Sequence, residues 1–229
     1  MASIEVVLDR AYALYEDGAE LVTEGPLVPA VPIAHGWYTA VRRFGRGALM
    51  LNGAGLGHEA APLRRSMIEH ALALHWLAAD PESALESLGR ASQHTASRMR
   101  KKMDGRWNVP DEVFDAIEAS HFDPSSQDRN LHFGNLASAM GQADLHVAWM
   151  HESSYCHPSL SGAQIYIDVS GDGRLLLLHE APRVGDVRAE VAVILLVASE
   201  GFSRFVRHPD WSHELQKLTD ELRVAISTA

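Results

Sequence analysis

Cysteine is almost absent: Cys156 stands alone in 229 residues, so no internal disulfide can form, and this suits a reducing, cytoplasmic setting. Long apolar runs are missing too. The longest, from Val191 to Ala198, is far short of the ~20 residues that cross a bilayer, so no membrane partner is expected. The opening MASIEVVLDR puts Glu5 and Asp9 where a secretory leader needs a basic start and an unbroken apolar stretch, and no targeting segment is read there. Positive charge is in deficit: 20 Lys+Arg against 30 Asp+Glu give a formal charge of −10, which excludes a general nucleic-acid coat protein. There is no internal repeat and no low-complexity linker. With 46% hydrophobic and 22% charged residues, a chain of this length can bury a sizeable core.

What is present is helical periodicity. Val6, Val7, Ala11, Leu14, Tyr15, Ala19 and Val22 recur at three- and four-residue steps, which predicts a helix over 3–24. The prolines of GPLVPAVP, 25–32, break it, and a second helix is expected over 37–51, closed by the glycines of NGAGLG, 52–57. Pro62 suits the first turn of a helix over 61–79, striped by Leu63, Met67, His70, Leu74 and Leu77. Further helices are expected over 82–103 and 111–120, then a polar loop over 123–130, then two helices over 131–155 hinged near Gly141. The period then changes to two: AQIYIDV, SGDG and RLLLLHE predict a β-hairpin over about 163–180. A strongly apolar, central helix over 187–206 and an amphipathic one over 212–226 complete the chain. The fold class expected is mainly α, a single-domain helical bundle over 1–229 with one small hairpin.

Arg65 and His70 show an Arg-x4-His spacing, yet at about 100° per residue they lie ~140° apart around one helix; His70 reads as a core histidine bonded through one ring nitrogen. Arg65 and Glu69 differ by one turn and share a face. Their stripe continues through Leu72 and Trp76, so the pair is either a half-buried structural anchor or part of a functional site. A second candidate is HESSYCHPS, 151–159, where Tyr155, Cys156 and His157 gather at a helix end. His157 there is either a general acid or base or a helix-terminal histidine bonded to free carbonyls. Adjacent positions diverge, which argues against a Cys156–His157 dyad. His146, His151, Glu152 and His157 invite a metal reading, but no HExxH and no paired CxxC occurs, so no metal and no cofactor is expected. NGAGLG lacks the strand and Lys-Ser/Thr of a phosphate loop and reads as a connecting turn. Over 90–106, six basic residues face Asp104 alone. Arg90, Arg98, Lys101 and Lys102 fall near one face, either as a phosphate-contacting stripe or as a solvated helix C-terminus.

The pairing of RSMIEHA, 65–71, with SSYCHP, 153–158, resembles an uncharacterised bacterial helical family with an Arg-x-x-x-Glu helix and a later Tyr-x-His-Pro-like turn, similar in outline to HEPN-superfamily bundles. The resemblance covers about 40–160. It implies that Arg65, Glu69 and His157 meet in one polar pocket between helices, in a protein of the defence or toxin type that binds or cleaves RNA. The later helix carries MHESSYCH without the arginine that active HEPN ribonucleases have a few residues before their histidine. The alternatives are a non-enzymatic module for a small molecule or partner helix, or an enzyme acting on a small metabolite through Tyr155 and His157. A homodimer is a further expectation.

Overall fold

The computed structural model describes residues 2–16, 19–103, 112, 126–178 and 185–228. Helix α1 (Ile4–Glu16), α2 (Val31–Gly53), α3 (Ala61–Ala79) and α4 (Pro81–Met103) form the first half. Pro62 sits in the first turn of α3, where its missing amide costs nothing. The Asp80 carboxylate accepts from the Ser83 amide at 3.2 Å and caps α4. The expected α3 boundaries hold, but its burial is wider than a single stripe. Arg64, Met67, Ile68, Ala71, Leu72, Leu74, Trp76 and Leu77 are all buried, because α3 packs against five other helices rather than one.

Helix α2 begins at Val31, six residues before the expected start. Pro29 lies in a 3-10 turn, Val28–Ala30, and Pro32 in the first helical turn; both positions accept proline without losing a needed donor. The expected helix over 111–120 lies outside the described residues apart from Glu112. Where a polar loop was expected, Ser126–Leu131 winds as a 3-10 helix. Helices α5 (Phe133–Ala139) and α6 (Ala143–Cys156) follow, hinged as predicted at Gly141, whose φ of +67° is open to glycine at no steric cost. The short α7 (Leu160–Gln164) is capped by Ser159 Oγ, which accepts from the Gly162 amide. The hairpin forms inside its expected span, with β2 (Ile167–Val169) antiparallel to β3 (Leu175–Leu177) and Gly173 at φ +83° in the turn.

Helix α8 (Val187–Phe202) is buried on most sides and packs on α1, α2 and α3. It stops short of the expected end because Ser203–Phe205 tighten into a 3-10 turn. Val206–Arg207 then pair as a strand, β4, with Glu20–Leu21, β1. The same pairing ends α1 at Glu16 instead of 24. Helix α9 (Trp211–Ser227) closes the bundle, its Trp211 Nε1 donating to Ser199 O at 3.2 Å. The result is a mainly α single domain, and among the described residues no helix is long and apolar enough to cross a membrane.

The α3–α8 crossing is close. His75 Nε2 lies 2.9 Å from Val197 O, and a Cβ built on Gly201 would sit 2.9 Å from His75 Cδ2 and 3.0 Å from the His75 backbone nitrogen. Backbone cannot yield as a side-chain tip can. Gly201→Ala gains ~1 kcal/mol of helix propensity but overpacks a filled crossing, and a net loss of about 1–2 kcal/mol is expected in urea unfolding; a stabilised variant would mean that the helices separate at little cost.

Candidate functional site

The polar centre lies where α3 packs on α6. On α3, Arg65 Nε meets Glu69 Oε1 at 3.2 Å, one turn along. From α6, Trp149 Nε1 donates to the same Glu69 oxygen at 2.8 Å, and its ring lies under the Arg65 guanidinium, 5.0 Å from Cζ to centroid, a cation–π contact. Phe133 of α5 stacks on Trp149 at 4.9 Å. The guanidinium is thus fixed by a carboxylate and an aromatic face together. On its outer side it meets His157: Arg65 Nη1 lies 2.9 Å from His157 Nε2. A guanidinium only donates, so Nε2 accepts and the ring proton in this geometry sits on Nδ1. His157 reaches this place because α6 ends at Cys156 and residue 157 is extended, at φ −121° and ψ 155°, ahead of Pro158.

Arg65, Glu69 and His157 therefore converge, although 92 residues separate the first from the last. The Arg65 side chain is 25% exposed and that of Glu69 38%, while His157 is exposed, so the cluster is held from the core side and open on the other. Tyr155, grouped with His157 in the sequence, packs elsewhere: its ring lies 5.4 Å from that of His58 and 5.2 Å from that of His151. Cys156 Sγ donates to Glu152 O at 3.2 Å. Burial pushes its thiol up from the ordinary value, and Arg65 nearby pulls down without overcoming that. The result is a protonated, weakly nucleophilic sulfur.

His70 turns away from Arg65. Its Nδ1 lies 2.7 Å from Ser66 O, and its ring packs near Trp37 and Phe44 of α2. The basic stripe on α4 loses its first member. The Arg90 side chain is 10% exposed and paired with Asp128 at 2.8 Å and Glu86 at 3.5 Å, so it anchors the 3-10 turn to α4 instead of facing a phosphate. Arg98 and Lys102 are exposed; the Lys101 side chain lies outside the described residues. Among the described residues no group of three or more His, Cys, Asp and Glu is placed to hold a metal ion.

Sequence reasoning missed the neighbouring arginine. Arg64 is fully buried, and each nitrogen of its guanidinium faces a protein oxygen: Gly57 O at 2.9 Å, Glu152 Oε2 at 2.6 Å and Glu190 Oε2 at 3.1 Å. The signal was available. Arg64, Ile68 and Ala71 fall on one face at four- and three-residue steps, so Arg64 occupies an apolar position, and a charge there requires an anion from another element.

These features define a class: a mainly α single domain in which α3 and the end of α6 hold an open Arg–Glu–His cluster above a buried arginine. The chain belongs to the family of unknown function DUF5677, whose family model matches residues 32–174. That span runs from α2 into the hairpin and contains every member of the cluster. No curated protein and no solved structure matches the chain.

Proposed function

We propose that the chain is an HEPN-like helical protein of the bacterial defence or toxin type that binds RNA and cleaves it at the Arg65–Glu69–His157 cluster. The observation that carries this reading is the 2.9 Å contact between Arg65 Nη1 and His157 Nε2. It sets a clamped cation, suited to a phosphate oxygen, beside an exposed imidazole suited to proton transfer. When a phosphate displaces the imidazole from the guanidinium, Nε2 is released to take a proton. The cluster offers no activated nucleophile, since the partly buried Cys156 thiol donates to Glu152 O and is held above its ordinary value. A substrate that brings its own nucleophile fits such a site, and the ribose 2′-hydroxyl is one. His157 would remove its proton as the 2′-oxygen attacks the adjacent phosphorus; the P–O5′ bond then breaks to leave a 2′,3′-cyclic phosphate, the departing 5′-oxygen takes a proton from water, and Arg65 stabilises charge on the phosphate.

Retardation of a labelled single-stranded RNA at low salt tests the binding half. Arg65→Ala should weaken it by about tenfold and lower the magnitude of the salt slope by about one, as expected for one lost phosphate contact. Wild-type protein that neither retards nor cleaves RNA at low salt would sink the proposal.

A further inference from the structure

An open cavity of about 600 Å³ lies on the other side of α3's polar edge, between α6 and α8, with Ile68 and Arg64 of α3 and Ile226 of α9 also lining it. Neither Arg65 nor His157 lines it, because adjacent positions on α3 point about 100° apart. Its volume is within the usual range for small-molecule sites. Burial separates floor from rim. Ile68, Leu145 and Ile194 are buried beneath it, while Val147 is 61% exposed and Val193 and Ile226 about as open as each other at 40% and 44%. The walls are aliphatic.

The charges in the lining are Asp144, Glu152 and Glu190 against Arg64, with His151 beside them. Three carboxylates thus face one guanidinium. An anionic ligand would compete for Arg64 with Gly57 O, Glu152 and Glu190, each already within 3.1 Å of its guanidinium, and would meet three carboxylates in the lining. Asp144 stands exposed in the first turn of α6, at the mouth of the cavity. The geometry points to a small-molecule site for an amphipathic cation: an aliphatic body seated among Leu145, Val147, Val193 and Ile194, with an ammonium group at the acidic rim. The apolar walls supply affinity through burial, and the excess of negative charge selects the sign of the head group.

Three eight-carbon probes differing only in the head group, n-octylamine, 1-octanol and octanoate, separate these contributions in calorimetric titrations of the full chain near neutral pH. Octylamine should bind at least about tenfold more tightly than octanoate, a difference of ~1.4 kcal/mol, with octanol between them. Two exposed positions in the lining give variants that leave the core intact. Ala148→Trp, which fills the cavity, should abolish octylamine binding, and Asp144→Asn should narrow the preference for amine over alcohol; circular dichroism checks that both fold. Octanoate binding as tightly as octylamine overturns the assignment, as does an absence of octylamine binding up to millimolar concentration or octylamine binding that survives Ala148→Trp. A wild-type dimer that Ala148→Trp splits also overturns it, by making the groove an interface between copies.

Discussion

Arg64→Met should destabilise the fold by about 3–5 kcal/mol, the usual cost of removing one partner from a buried ion pair. Arg64 has no solvent exposure and the Glu152 side chain only 6%, so methionine leaves a carboxylate buried without its cation. The same change deprives Gly57 O, in the turn entering α3, of its donor and leaves Glu190 of α8 without its contact at 3.1 Å. Three elements therefore loosen at once. The double variant Arg64→Met with Glu152→Met removes the stranded charge and should recover more than half of the loss, since an apolar replacement of a buried pair is often neutral. Urea unfolding of the four proteins in the cycle measures this, with an unchanged slope showing that the change lies in stability. A cost below ~1 kcal/mol for the single variant would mean that water reaches the pair. This test is independent of any activity, because Arg64 faces away from the open cluster.

Legibility in the sequence followed the range of the interaction. Helix α3 was legible to the residue because Pro62 and Asp80-Pro81 bound it, and the Gly141 hinge because a left-handed residue between two apolar runs carries its own signal. Strands β1 and β4 left no trace: two residues cannot establish a period of two, and their pairing links Glu20 to Arg207 across most of the chain. The limit of α1 was overrun for that reason, and that of α8 because Ser203–Phe205 tighten into a 3-10 turn. Arg65 and Glu69 were legible as a pair because four residues make about one turn. Their meeting with His157 came from a resemblance and not from spacing, and Trp149, which locks the pair, gave no local signal at all. Arg64 was passed over because the doublet of Arg64 and Arg65 reads as charge, although the two side chains leave α3 in different directions, one into the core and one to its edge.

On the proposed reading, His157→Ala lowers RNA cleavage by about 10²- to 10⁴-fold, the range a positioned acid or base contributes, while leaving the fold within ~0.5 kcal/mol, since the residue is exposed and follows the end of α6. Binding should respond differently from cleavage. Arg65 keeps its hold on Glu69 and Trp149 without His157, so retardation of RNA by His157→Ala should match wild type within about threefold, where Arg65→Ala weakens it further. His157→Gln sharpens the distinction. Glutamine keeps an acceptor for Arg65 Nη1 but has no group that exchanges a proton near neutral pH, so it should preserve binding and fail to restore cleavage. If His157→Gln cleaves as wild type does, the imidazole serves only to orient Arg65 and the acid–base role is lost. If cleavage persists unchanged in His157→Ala as well, the chemistry lies outside the cluster. Such a split between binding and rate would assign the two halves of one 2.9 Å contact to the two tasks proposed for them, phosphate capture on α3 and proton transfer from the end of α6.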